Sequence, residues 1–538
     1  MGRWFALVLA LGACTGDIGS SGPIDRTGPP AIEPPTPENV GEFEAPAPVV
    51  RRLTRDEYTR TVVDVVGVEL SDASLAQLPV DRPVEGFVRV ASGQSVLPDH
   101  VRAYFTLAFE IVEAPAFGAF VDDHATCRDA TAACGEAFIA SAGRVLFRRP
   151  LETDEESAFG ELFAAVLAEE GTFDEGARAV GAAMLQSPGF LYLLRRENTG
   201  GSGNDDDVYT IGGYAMASRL SYFLWGSAPD EALYEAAERG DLDTPEGVER
   251  EAMRLLDDRA RVSRTLGRFL VDWARLESIP DDDGLKDSLI EGAVAYYVDR
   301  TEEGAELFRL FSDERVTLLD AFAPRFGERG DTTVRLEAGG GLLGQPGVIA
   351  GMTNADGGEI VARGLFLLAQ LFCETPPDFP DDAQDEVDEF VEAQPEDASH
   401  RQIADARLER PQCGFCHGDF DPLAYAFESF DARGFPRVAD EHGNAIQVDG
   451  WVPAGLNGGV RADYAGFTDY MAILEGSTQV QRCLTQRQAE YAAATRMQDG
   501  QLASLFAIEG ELEGASDHRS LVRALVRSDF FRLQERIR

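Results

Sequence analysis

Positive charge is scarce in this 538-residue chain, where 48 Lys and Arg stand against 94 Asp and Glu for a net charge of −46 at pH 7. A surface this acidic repels phosphate instead of releasing its counterions, so a general nucleic-acid binder is excluded. It equally opposes docking onto anionic lipid through a basic face. Long apolar runs are missing as well: past the first residues, none reaches the roughly 18–20 that a spanning helix needs. Alternating strand patterns are few, and no repeat of fixed period occurs. His-Glu-x-x-His and Gly-x-Ser-x-Gly are also absent, which leaves the metalloprotease and α/β-hydrolase motifs without support. Apolar residues nevertheless make up 44% of the chain, too many for disorder throughout. At about 100–200 residues per domain, three or four packing units are expected.

The first residues set an expected compartment. Arg3, the apolar run Trp4–Leu11 and then Gly12-Ala13-Cys14 follow the order of a secretory signal. Leu11-Gly12-Ala13-Cys14 also resembles a bacterial lipobox, in which Cys14 is lipidated and becomes the first mature residue; a plain secretory signal is the alternative. Residues 15–48 are rich in proline and poor in large apolar side chains, so they are expected to form a spacer. An exported protein tethered to the membrane by lipid is the expectation.

The body is expected to be mainly α. Thr54 and Glu57 form a Thr-x-x-Glu capping box, with Leu53, Tyr58, Val62, Val65 and Val66 near one helix face. Helices are expected over 137–149, from a second box at Thr153 and Glu156 to Leu167, and over 176–194 with a break at Pro188. Others are expected over 214–225, 248–256, 262–276, 360–373, 480–497 and 520–535, with Trp273 in a core. The polar stretch Thr199–Asp207 is expected to be a surface loop, and Glu337–Gly358 irregular chain. The expected boundaries are a leader 1–14, a linker 15–48 and helical modules 49–126, 127–198 and 208–336. A haem-attachment module 337–440 and a C-terminal helical module 441–538 follow.

That assignment rests on Cys413-Gly414-Phe415-Cys416-His417. Cys-x-x-Cys-His is the attachment signature of c-type haem. Two thiols on one turn add to the two vinyl groups of one porphyrin, and the next residue, His417, ligates the iron from below. With so few cysteines and histidines, a chance match is on the order of one in a thousand. A zinc site through Cys413, Cys416 and His417 is one alternative, although the second Cys-x-x-Cys of a zinc ribbon is missing. A disulfide clip between the two thiols is the other. Of the remaining cysteines, Cys127 and Cys134 are close together in a polar segment, so a local disulfide is expected. Cys373 and Cys483 then pair by elimination, with two buried free thiols as the alternative.

Arg52-Leu53-Thr54-Arg55-Asp56-Glu57-Tyr58 with Thr61-Val62 resembles the opening of a multi-domain family known from planctomycete-type cytochrome c proteins, whose modules are catalogued as domains of unknown function. The resemblance continues through Phe147–Leu151, Leu185–Tyr192, Ala217–Trp225 and Arg363-Gly364 with Cys373. It is closest from Cys413 through Asp421-Pro422-Leu423, Phe427-Glu428 and Phe430-Asp431-Ala432, and it ends in Ser520–Arg532. Ala424 stands where the family has Gly after Asp-Pro-Leu, and Tyr491–Arg496 departs from its Tyr-Ala-x-Gly-Arg segment; both put local turn geometry in question. The resemblance implies the architecture and one covalent haem c, and no settled activity.

Met497, expected late on a helix that a Cys373–Cys483 bridge holds nearby, and Met471 are the candidate distal ligands. Gap-filling in a core is the competing role for each. His400 and His442 are the nearest other imidazoles in sequence. Asp421, Glu428 and Asp431 either tune the iron or cap a helix. Gly339–Gly344 matches Gly-x-Gly-x-x-Gly, but with no βαβ pattern it is expected to be a mobile glycine loop. Acidic runs at Asp205–Asp207, Asp281–Asp283 and Asp381–Asp388 lack EF-hand spacing and are expected to be solvated surface. The expected function is electron transfer, or a redox module acting on an unknown substrate, with a basic redox partner steered by the acidic surface. The alternative is a cell-surface binding or scaffold lipoprotein in which Cys-x-x-Cys-His is structural.

Overall fold

The computed structural model describes residues 36, 40–84, 86–193, 208–281, 284–336, 339–353, 359–375, 384–512 and 515–536. Cys14, the leader, most of the spacer and the stretch Thr199–Asp207 lie outside them, as do Asp282, Asp283 and residues 381–383 of the other acidic runs. The described chain is mainly α, with short two-stranded antiparallel pairs between helices. No single described helix is long and apolar enough to cross a membrane.

The expected modules share two large cores. The first gathers side chains from Leu53 to Leu193, so 49–126 and 127–198 pack as one unit. Strand Arg51–Arg52 pairs with Tyr192–Leu193 and ties its two ends together. Thr54 caps the helix Arg55–Thr61, and the expected box closes reciprocally: Glu57 N–H donates to Thr54 Oγ1 and Thr54 N–H to Glu57 Oε2. Glu57 does more than cap. It is buried and takes both Arg51 and Arg89. Burial pushes its carboxyl up, but the two guanidiniums outweigh that and hold it down at about 2.

Arg148, buried and in the left-handed region at φ 59°, donates to the carbonyls of Gly189, Phe190 and Tyr192. It thereby joins the Phe147–Leu151 stretch to the segment after Pro188. The helix Phe173–Gln186 breaks there as the proline requires and resumes at Pro188–Leu191. The second capping box sits one residue earlier than expected, at Glu152 and Glu155, because Thr153 is already inside the helix. Cys127 and Cys134 are disulfide-bonded.

The second core runs from Phe87 to Phe531 and draws on everything after residue 208. Trp273 is buried in it, at the end of the helix Arg259–Trp273. Pro245–Leu255 packs on His518–Arg527, so the central and C-terminal stretches are one body. Gly339–Gly344 belongs to the same core and is no mobile loop. Its residues are buried, and a Cβ on Gly340 or Gly341 would lie 2.3 Å from Glu314 O or 2.5 Å from Phe311 O. Glycine is required there for backbone to lie on backbone. A short buried helix, Pro346–Met352, follows within the stretch expected to be irregular.

Strand Val208–Thr210 pairs with Leu533–Glu535. On the other side of that last strand, Glu535 N–H donates to Pro46 O and Gln534 Nε2 to Ala47 O. The end of the proline-rich stretch is therefore docked: Ala45 and Pro46 are buried and Phe43 rests on the second core.

Candidate functional site

The motif occupies the helix Pro411–Ala424, opened by a proline in the first turn, where a missing N–H costs no hydrogen bond. Helical spacing puts Cys413, Cys416 and His417 on neighbouring positions of one face. All three are partly exposed at the edge of the second core, which Cys416 touches. Glycines let two other helices lie directly on this one. A Cβ on Gly364 would stand 2.4 Å from Phe420 O, so Glu359–Leu371 crosses the motif helix at backbone contact. A Cβ on Gly414 would stand 2.5 Å from Leu408 O, where His400–Leu408 ends against the motif.

Behind His417 stands a buried relay. His417 Nδ1–H donates to Asp421 Oδ1 at 3.1 Å, and Arg407 Nε and Nη2 donate to Asp421 Oδ2 at 3.0 and 2.6 Å. Asp421 is wholly buried. A carboxylate on Nδ1 fixes the tautomer and leaves the lone pair on Nε2, the usual arrangement behind a metal-ligating histidine. Among the described residues Nε2 makes no hydrogen bond. The Phe420 ring packs beside the imidazole, with centroids 4.7 Å apart.

These residues fit a covalent haem better than the alternatives. Cys413 and Cys416 are both free thiols, so the disulfide clip is not formed. A zinc set converges on one point. Among the described residues the one group of three donors that does so is Glu359, His400 and Glu428, and the motif residues are not part of it. Two thiols and an imidazole spread along one helix face, with the imidazole already oriented, suit three separate attachment points on a porphyrin.

The chain after the motif is held by a second charged cluster. Arg363, fully buried, donates to Phe427 O at 2.8 Å, Phe430 O at 3.2 Å and Asp431 O at 2.8 Å, and pairs with Glu428. Arg437 spans Glu359 and Glu428 at 2.9 and 3.2 Å. His400 Nδ1 lies 3.4 Å from Glu428, whose carboxylate raises the His400 pKa despite the opposing effect of burial. Two guanidiniums already neutralise these carboxylates, so the group reads as an ion-pair cluster that pins the backbone. Asp431 accepts from the N–H groups of Arg433 and Phe435 and caps a turn. Of the three acids flagged in the sequence, only Asp421 touches the motif histidine.

Cys373 and Cys483 are disulfide-bonded and join the end of Glu359–Leu371 to the helix Thr478–Ala493. That helix stops at Ala494, in the left-handed region at φ 52°, so Met497 lies beyond the helix it was expected to end. Met497 and Met471 are both buried in the second core. Neither is on an element closely packed on the motif helix, which are Glu359–Leu371, His400–Leu408, Tyr425–Ser429 and Gly450–Val452. His400 faces Glu428 and Glu441, and His442 lies beside Glu441. Sequence reasoning missed Arg407. The His417–Asp421 spacing of four was a readable signal, but nothing local marks which cation completes the relay.

Four family models match the chain, each described as a protein of unknown function. They are PSD3 (DUF1587) over residues 51–116, PSD5 (DUF1595) over 134–194, PSD4 (DUF1592) over 211–323 and PSCyt3 (DUF1588) over 339–440. They are domains of the planctomycete cytochrome-c-type family. The first two fall on the first core and the last two on the second, with the motif inside the last. No curated protein and no solved structure matches the chain.

Proposed function

We propose that this chain is an exported c-type haem protein that passes electrons through one covalently held haem, either as a carrier or as the redox module of an oxidoreductase. The observation that carries the reading is the oriented imidazole of His417 beside two free thiols on one helix face. Cys413 and Cys416 would hold the group, and His417 Nε2 would ligate its iron. A haem so bound supplies one-electron chemistry. The protein's part is to fix the ligand: Asp421 orients the ring and holds its proton at Nδ1, Arg407 holds Asp421, and Arg363 holds the chain that follows. Lipid on Cys14 tethers the protein outside the cytoplasm, and the acidic surface steers a basic redox partner into a weak, salt-sensitive encounter. The name of the model over residues 339–440 and the resemblance of the motif region support the same reading.

The test is expression with a c-type maturation system, followed by a pyridine haemochrome assay on denatured protein. A covalent c-type band that is lost in Cys413→Ala/Cys416→Ala is the expected result. Protein that matures without haem, and in which the double variant costs stability only, overturns the reading and leaves the scaffold function.

A further inference from the structure

Away from the motif, a cavity of about 750 Å³ opens between residues 79–100 of the first core's chain and the helix Arg259–Trp273 with the turn after it. Its size is that of a small-molecule site. In a chain of −46 net charge, its lining sets four arginines against three carboxylates, Asp81, Asp272 and Glu277. Arg52 is tied to Asp81 and Arg268 to Asp272 and Glu277, but Arg82 and Arg275, both exposed, have no carboxylate partner among the described residues. Arg275 is held at φ 55°, a left-handed conformation a non-glycine side chain rarely adopts. His100, 4% exposed, adds a buried donor. Its Nδ1 accepts from Leu97 N–H, so its proton is on Nε2, and that buried N–H has no acceptor. One buried donor without an acceptor, and two exposed arginines that pair with no carboxylate, line the same cavity and suit an oxyanion.

The mouth of the cavity is apolar. Val80 and Leu97 line it and are 67% and 50% exposed. From Leu97 the exposed surface runs on along the helix Pro98–Glu113 through Val101, Phe105 and Phe109, at steps of four residues. The Phe105 and Phe109 rings lie 4.9 Å apart. Twelve residues of helix extend about 18 Å. Six of the twelve exposed large apolar side chains in the described residues fall between 80 and 109, a concentration that scattered surface residues do not give.

We infer that this cleft and stripe bind a long-chain organic anion, with its carboxylate at Arg82, Arg275 and His100 and its acyl tail along Leu97, Val101, Phe105 and Phe109. The inference stands apart from the haem reading, because no motif residue takes part. Charge complementarity selects the head, and continuity of the apolar stripe with the cavity mouth selects the tail.

Isothermal titration of the full chain with dodecanoate below its micelle concentration tests this. Saturable binding at one site is expected. Hexanoate, which lacks most of the tail, and dodecyltrimethylammonium, which has the tail with the wrong charge, should each bind at least about tenfold more weakly. The second comparison is stringent, since the protein's overall field favours the cation. Arg82→Gln/Arg275→Asn should weaken dodecanoate about tenfold; asparagine tolerates the left-handed backbone, and both side chains lie at the surface. Phe105→Ser/Phe109→Ser should weaken dodecanoate and leave hexanoate unchanged. Absence of saturable binding, equal affinity for the cation, or indifference to either variant overturns the inference. Sedimentation with phosphatidylglycerol vesicles without binding of monomeric dodecanoate overturns it in favour of a membrane-docking face.

Discussion

Replacing Asp421 with Asn probes the relay behind His417 through a quantity that packing alone does not set, the reduction potential of the haem we propose it holds. Asp421 draws the Nδ1 proton toward a buried negative charge, so Nε2 is more electron-rich and the ferric state is favoured. Asn keeps the shape and an acceptor oxygen but removes the charge, so the potential should rise. An outer-shell partner of a ligating histidine is worth about ten- to a hundredfold in metal affinity. For one electron, tenfold corresponds to about 59 mV. Arg407 already shares the Asp421 carboxylate at 2.6 Å, which takes up part of its charge and points to the lower end. The expected shift is therefore about +60 mV in a spectroelectrochemical titration of haem-loaded protein. Arg407→Gln, which frees the carboxylate for the imidazole, should move the potential the opposite way. A loosened helix does not give shifts of opposite sign. An unchanged potential in Asp421→Asn, or shifts of one sign in both variants, refutes the argument.

The remaining predictions concern stability. Glu57→Gln leaves Arg51 and Arg89 buried without their carboxylate and should cost about 3–5 kcal/mol by denaturant titration. Because Glu57 is held at about 2 in the fold, its contribution should be complete above the ordinary carboxyl pKa of 4.5 and lost as pH falls toward 2. By linkage this amounts to about 3 kcal/mol, checked by comparing wild-type and Glu57→Gln melts from pH 6 to pH 2. Gly364→Ala places a methyl 2.4 Å from Phe420 O and should lower both the melting temperature and the fraction of chains carrying haem, whereas Gly418→Ala, which meets open space, should leave both unchanged. Cys373→Ala/Cys483→Ala removes a crosslink between residues 110 apart and should cost about 3–5 kcal/mol in the entropic model; a melting temperature equal to wild type counts against it.

Local chemistry was legible in the sequence and long-range chemistry was not. The Thr54–Glu57 box, the break at Pro188 and the helix around the motif depend on residues within a few positions of each other. The helix end at Ala494 depends on a left-handed residue that no glycine announces, so Met497 was placed on a helix it does not reach. The glycines at 339–344 have the composition of a mobile loop; what fixes them is the backbone of residues 310–315, invisible to any local window. How the expected modules share two cores was not legible for the same reason, since a core depends on which faces meet. At the site, Cys413, Cys416 and His417 were legible by spacing alone. Arg407 and Arg363 act on the site through contacts made across the fold, and their presence in the sequence says only that two more cations exist.

The pairing of residues 46–47, 208–210 and 533–535 bears on the order in which the chain can be finished. Synthesised amino-terminus first, the chain cannot close this three-ply edge, or bury Tyr209 against Gln534, until residue 535 has been made. The second core, at whose edge the motif helix lies, cannot be completed before then. The last strand is thus a latch: the end of the proline-rich arm and the strand at 208–210 find their shared partner only when the far end of the chain arrives.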